Sequence, residues 1–231
     1  MRKKGKLIVI DGTDGSGKAT QVKLLAARLK QAGRRVECLD FPQYEKNFFG
    51  RFIGECLAGK HGDFLHLDPH TSSVLYAADR YESKQTLEKW LTDGAVVILD
   101  RYVSSNQIHQ GGKIRDTRER KKFLAWIEEV EYSVFGLPRP DAIVYLDVPV
   151  DISRKLLRKK GQKKKKPYLS KGQKDVAENN AAYLEASYQS ALGIIRERNN
   201  WRAIQCVKKG KLLSREEIAD EVWQNVEPLL Q

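Results

Sequence analysis

Short unbroken apolar runs alternate along this chain with longer stretches in which apolar residues return every three or four positions. The runs are KLIVID (Lys6 to Asp11), RVECLDF (Arg35 to Phe41), AVVILD (Ala95 to Asp100), AIVYLDV (Ala142 to Val148) and WRAIQCV (Trp201 to Val207). Because LIVI and VVIL do not alternate between apolar and polar, they predict strands covered on both faces, as in a parallel sheet. The stretch from Lys18 to Ala32 has helical spacing and stops at Gly33, a residue suited to the turn that ends a helix. Asp68 followed by Pro69 predicts a helix start, with the helix running to about Leu91 before Gly94. Ser214 with Glu217 forms a capping box that opens a last helix through Val222, Trp223 and Val226. Strands alternating with helices predict an α/β chain built on right-handed crossovers, with a five-stranded, mainly parallel sheet flanked by helices. No repeat and no Pro/Gly/Ser-rich linker divides the chain, so residues 1–231 are expected to form one domain. Ligands bind such sheets at the carboxyl ends of the strands, where the loop after Asp11, the stretch Phe41 to Tyr44 and the triplet Asp100-Arg101-Tyr102 all fall.

A hydrophobic content of 41% over 231 residues is enough for a packed core. No apolar run approaches the roughly 18 residues needed to cross a bilayer, and the opening MRKKGKLIVIDG has too short an apolar stretch for a signal peptide, so a cytoplasmic protein with no membrane partner is expected. Cys38, Cys56 and Cys206 are odd in number and widely spaced. They indicate neither a disulfide framework nor a zinc site and are expected to be small buried apolar residues. The net charge of +12 implies an anionic partner. Much of the excess lies between Arg154 and Lys174, a segment dense in Lys and Arg and free of Asp and Glu. It could be a solvated loop or a mobile basic lid over phosphates.

Gly12-x-x-x-x-Gly17-Lys18 joins a predicted strand to a predicted helix, the context that makes this spacing a phosphate-binding loop. Its glycines let backbone N–H groups from Gly12, Asp14, Gly15, Ser16 and Gly17 turn inward. The helix N-terminus adds partial positive charge, and Lys18 reaches the β- and γ-phosphates. At position 19 the motif calls for a Ser or Thr that ligates magnesium, and this chain has Ala19. Thr20 is turned by about 100° along the helix and suits the α-phosphate instead. Three explanations compete: metal held by water and another carboxylate, weakened metal dependence, or a catalytically dead sensor. Asp100, at the end of an apolar strand, has the placement of a carboxylate that holds magnesium directly or through water. Arg101 beside it can clamp a phosphate with two parallel hydrogen bonds.

The sequence resembles the thymidylate kinases, nucleoside monophosphate kinases of the P-loop class. The resemblance rests on DGTDGSGKATQ (Asp11 to Gln21), FPQY (Phe41 to Tyr44), LYAADRYE (Leu75 to Glu82), DRYVSSNQIHQGGK (Asp100 to Lys113) and GLPRPDAIVYLDV (Gly136 to Val148), in that order along nearly the whole chain. It implies a three-layer P-loop NTPase fold with a basic lid over about residues 154–175, and transfer of the ATP γ-phosphate to dTMP with Mg2+, giving dTDP and ADP. It also implies a homodimer. Carried over by position, Asp14 reaches the acceptor sugar, Tyr76 stacks on the base, Arg80 hydrogen-bonds it, and Arg101 clamps the acceptor phosphate. Phe41 belongs to the acceptor side, Tyr102 lies against the sugar, and Ser105, Asn106 and Gln110 line the base pocket. The phosphate loop offers Gly15 and Ser16 where some members carry a basic residue, so the missing charge is expected from the lid, with Arg154 and Arg158 touching ATP. Arg51 is expected to take the part of an acceptor-phosphate arginine often found near the FP stretch. Two alternatives remain: a kinase for another deoxynucleoside monophosphate, and a non-catalytic nucleotide or nucleic-acid binder. The basic run has no interleaved aromatic apart from Tyr168, which argues against a nucleic-acid groove.

Overall fold

The five apolar runs form one parallel sheet with strands β1 (Lys6–Asp11), β2 (Val36–Asp40), β3 (Val96–Asp100), β4 (Ala142–Asp147) and β5 (Trp201–Gln205), in the spatial order β2-β3-β1-β4-β5. This is a computed structural model, and it describes residues 4–161, 167–169 and 175–230. The order places β1 at the centre, paired with β3 on one side and β4 on the other. Asp40 and Asp100 are in register across β2 and β3, so the carboxyl ends of the strands converge at one edge of the sheet.

Alternate residues of each central strand serve opposite layers. Leu7, Val9, Val97, Leu99, Ile143 and Tyr145 pack against α4 (Lys84–Thr92), α5 (Val103–His109), α6 (Thr117–Glu128) and α9 (Ala181–Glu197). Ile8, Ile10, Ile98, Val144 and Leu146 pack on the other face against α1 (Lys18–Gln31) and α10 (Arg215–Val226). Each fully buried aliphatic side chain stabilises the fold by about 1.5–3 kcal/mol. That double coverage explains why the strand sequences read as continuous apolar runs.

The helix starts follow the sequence signals. Asp68 accepts from the amides of His70 and Thr71 at the head of α3 (Pro69–Glu82), and the Ser214–Glu217 capping box is present on α10. The single helix expected from Pro69 to about Leu91 is instead two, broken at Ser83 into α3 and α4. Ser83 Oγ is held by Asn47 Nδ2 at 3.1 Å, a contact from a distant loop that local periodicity does not carry. The remaining helices are α2 (Phe48–Leu57), α7 (Val150–Gly161) and α8 (Val176–Asn179), and a small hairpin of β6 (Val207–Lys208) and β7 (Lys211–Leu212) precedes α10. Cys56 and Cys206 are buried as expected. Cys38 is exposed, because β2 is an edge strand. Among the described residues, no helix is long and apolar enough to cross a membrane and no cluster of three or more His, Cys, Asp or Glu could hold a metal.

Candidate functional site

The loop between β1 and α1 wraps the helix N-terminus. Gly12, Gly15 and Gly17 take φ of 153°, 86° and 97°, backbone conformations that cost a side-chain-bearing residue strain. Lys18 is buried and folds back across the loop, its Nζ donating to Gly12 O at 2.9 Å and Thr13 O at 3.1 Å. Burial first, and then the Arg101 charge, lower its pKa, while Asp14, Asp100 and Asp11 act in the opposite sense. Gly15 also allows a close approach: a Cβ there would stand 2.5 Å from Ser153 O and 2.8 Å from Leu157 Cγ of α7.

A cavity of about 810 Å3 opens over this loop. Asp14 to Gln21 line it, with Asp100 and Arg101 across from them. One end is walled by Lys23, Leu212, Leu213, Arg215 and Ile218, the other by Tyr76, Arg80, Asn106, Gln110 and Tyr183. Gln21 Nε2 donates to Arg215 O at 3.0 Å and ties α1 to α10 at the first end. Side chains from the α1 and α10 side and from the α3, α5 and α9 side thus line one cavity, with Lys18, Asp100 and Arg101 among them.

Arg101 commands that middle. It has φ of 71°, rare for a residue with a Cβ, and sits at the turn out of β3. Its Nη2 donates to Asp14 Oδ1 and its Nη1 to His109 Nε2 at 2.9 Å. Asp11, fully buried, lies 4.0 Å from Nη1 and accepts from Ser104 Oγ at 2.6 Å, Ser105 Oγ at 2.8 Å and Gly12 N at 2.8 Å. Asp11 thus fixes the phosphate loop to the start of α5. Asp100 lines the cavity and, among the described residues, its carboxylate makes no side-chain hydrogen bond. Burial raises its pKa, with Lys18 and Arg101 opposing and Asp11 and Asp40 reinforcing the rise.

At the far end, Arg80 is buried and forms a bidentate pair with Glu131, Nε to Oε2 at 2.6 Å and Nη2 to Oε1 at 2.7 Å. Burial opposes its charge, but Glu131 overcomes this and the pKa is raised. Asn106 Nδ2 donates to the same Glu131 at 2.9 Å and to Ser73 O at 3.1 Å, and Gln110 Oε1 accepts from Ser72 Oγ at 2.8 Å. Tyr76 packs against Phe64 with ring centroids 6.0 Å apart and lines the cavity, as does buried Phe41.

The structure brings together Asp14, Gly15, Ser16, Gly17, Lys18, Ala19, Thr20, Phe41, Tyr76, Arg80, Asp100, Arg101, Ser105, Asn106 and Gln110 along one cavity. Gly12 contributes the carbonyl that accepts from Lys18. Four of the expected side chains lie outside this wall. Tyr102 is fully buried in the core, donates to Pro138 O at 3.1 Å and is not part of the cavity wall, because the reversed backbone at Arg101 turns the next side chain inward. Arg51 is exposed, donates to Lys46 O at 3.2 Å and lies outside the wall. Arg154 and Arg158 also lie outside it. On α7, Ser153 and Leu157 meet Gly15, and the arginines one position further are rotated about 100° away. Most of the basic segment, residues 162–166 and 170–174, lies outside the described residues.

Sequence reasoning assigned no separate role to Asp11 or His109, although both stand inside the quoted motifs. A charged residue ending a buried strand was the available signal for Asp11. Glu131, Tyr183 and Ser187 carry no local signal and join the site only through tertiary packing.

A family model described as thymidylate kinase matches residues 10–211. The thymidylate kinase of Mycobacterium tuberculosis (strain ATCC 25618 / H37Rv) is 35% identical over 157 residues, 68% of this chain and 72% of that one. The Homo sapiens thymidylate kinase is 30% identical over 146 residues, 63% of this chain and 62% of that one. Among solved structures, that of the Candida albicans thymidylate kinase aligns with a TM-score of 0.72 at 21% identity, over 98% of this chain and 92% of that one, a likeness of fold.

Proposed function

The chain belongs to the thymidylate kinase family, and from that premise we propose that it transfers the γ-phosphoryl group of ATP to dTMP, yielding dTDP and ADP. The observation that carries the reading is one cavity lined by the phosphate loop, by Lys18, Asp100 and Arg101, and by side chains from α1 and α10 as well as from α3 and α5. ATP is assigned to the phosphate loop and the side of Lys23, Leu213 and Arg215, and the acceptor to the side of Tyr76, Arg80, Asn106 and Gln110. Lys18 and the loop amides would hold the donor phosphates, and Arg101 would bridge acceptor and γ-phosphate. Phosphoryl transfer asks the protein for alignment and charge neutralisation rather than covalent chemistry, which suits a preorganised arginine flanked by carboxylates.

Magnesium normally keeps several waters and takes one or two carboxylates plus phosphate oxygens, so a lone carboxylate beside the phosphate loop is a fitting ligand for it. Asp100, lining the cavity within the field of Lys18, is the residue that would hold it, directly or through water. When bound, the ion would neutralise charge on the phosphates. The basic segment after α7 is assigned as a lid supplying further positive charge. A homodimer is assigned to α3, where Val74 and Tyr81, seven residues apart, are exposed; light scattering tests it.

A coupled assay for ADP over a panel of nucleoside monophosphates, with and without magnesium, tests the reading. dTMP should give the highest kcat/KM, and activity should vanish on chelation. A different preferred acceptor would reassign the substrate, and no ADP from any acceptor would remove the kinase reading.

A further inference from the structure

His109 ends α5, lines the cavity and stands between Arg101 and α9. Its Nε2 faces Arg101 Nη1 at 2.9 Å and its Nδ1 faces Ser187 Oγ of α9 at 3.1 Å. A guanidinium can only donate, so Nε2 must present its lone pair. The Ser187 hydroxyl spends its one proton on Tyr183 O at 2.8 Å, so its oxygen is left to accept from Nδ1–H. The two contacts together admit one neutral tautomer. The imidazole also stacks on Tyr183, with centroids 5.8 Å apart and planes 14° from parallel, which fixes the ring plane.

The sequence supplies the approach that makes this possible. A Cβ on Gly112 would lie 2.9 Å from Ala186 C and O and from Ser187 N, so only glycine lets α9 come close enough to set Ser187 against His109. The groups whose charges bear on the imidazole are Arg101 just past β3, Asp11 at the end of β1, Asp14 from the phosphate loop and Lys18 from α1, with Tyr183 and Ser187 packed from α9. Burial and the Arg101 charge hold the ring neutral, pushing its pKa down to about 4.

We propose that His109, locked as the neutral Nδ1–H tautomer by Ser187 and Tyr183, is a positioning residue that fixes the Arg101 guanidinium for phosphate. Asp14 holds Nη2 from one side and His109 holds Nη1 from the other, so the plane and reach of the guanidinium are set before substrate arrives. Ser187 and Tyr183 lie on α9, whose start at Ala181 closely follows the basic segment, so the orientation of Arg101 is linked to the seating of that helix. The inference rests on the kinase reading for its catalytic consequence and on geometry alone for the tautomer.

The test combines ring nitrogen NMR with kinetics. In the wild-type protein, 15N spectra between pH 5.5 and 8 should show His109 as the neutral Nδ1–H form throughout. His109→Phe should lower kcat with dTMP by up to about 100-fold, the scale of a misplaced catalytic group, while the KM for ATP stays within about twofold. His109→Gln, whose amide oxygen can still accept from Arg101, should recover most of kcat. An Nε2–H or doubly protonated ring at pH 6.5, or a kcat in His109→Phe equal to wild type, would overturn the inference. If circular dichroism shows the Phe variant unfolded, Ser187→Ala decides: a lowered kcat with the KM for ATP within about twofold supports the role, and an unchanged kcat overturns it. If wild-type protein makes no dTDP, the kinase reading fails separately. The Arg101 guanidinium 15N signals then decide His109, a shift between wild type and His109→Gln or His109→Phe supporting the contact and identical signals overturning it.

Discussion

Arg101 carries a backbone conformation that costs on the order of 1–3 kcal/mol, and the surrounding contacts to Asp14, His109 and Ser105 hold it there. Strain of this kind persists where it places a side chain that function requires. Replacing Arg101 with Ala should cost about 2–4 kcal/mol in transition-state stabilisation, the scale of a lost preorganised charge donor. Steady-state kinetics and ATP titration check this: kcat should fall by orders of magnitude while ATP affinity changes little, and equal losses in both would count against a transition-state role. Arg101→Lys should recover little, because an ammonium cannot face Asp14 and His109 in one plane. Ala19 poses the complementary question, since its methyl lines the same cavity where the phosphate-loop pattern calls for a hydroxyl. Restoring that hydroxyl with Ala19→Ser should lower the magnesium concentration for half-maximal activity. An unchanged requirement would mean that Asp100 and water already satisfy the ion.

Between elements, α7 packs closely against the phosphate loop. Gly15 has φ of 86° and faces Ser153 and Leu157 at distances that leave no room for a methyl group. Gly15→Ala should therefore push α7 off the loop, destabilise the protein by about 1–3 kcal/mol and weaken ATP binding at least tenfold. Thermal unfolding and calorimetric titration measure the two effects, and retention of both values would show that α7 yields without consequence. The same junction shows what the sequence could and could not convey. Continuous apolar strands, the capping box at Ser214 and the glycine spacing after β1 are local features, so the sheet, the start of α10 and the glycine-rich turn into α1 were legible directly. Tyr102, Arg154 and Arg158 fall outside the cavity wall, and their directions depend on the backbone at Arg101 and on which face of α7 meets Gly15. Neither is encoded in residue spacing. Arg80 was placed in the cavity correctly, but its partner Glu131 lies 51 positions away in sequence and carries no local cue.

Across the molecule, two buried groups couple stability to pH in opposite senses. His109 has a folded pKa of about 4, below its ordinary 6.5, so the unfolded chain takes up the proton first. Its contribution is complete above about pH 6.5 and is lost as pH falls toward 4. Asp79, buried beneath the loop after β2, accepts from Gln43 N and Asn47 Nδ2, yet burial raises its pKa from 3.8 to about 6. The folded protein therefore takes up this proton first, and the contribution of Asp79 is present below its ordinary value and lost as pH rises toward 6. Each shift corresponds to about 3 kcal/mol, so the two nearly cancel between pH 4 and 6.5. Removing the imidazole should expose the other half of the balance. Chemical denaturation across this range should show His109→Gln gaining about 3 kcal/mol relative to wild type on going from pH 6.5 to 4. A difference between the two proteins that stays constant with pH would mean that the imidazole titrates at its ordinary value in the fold.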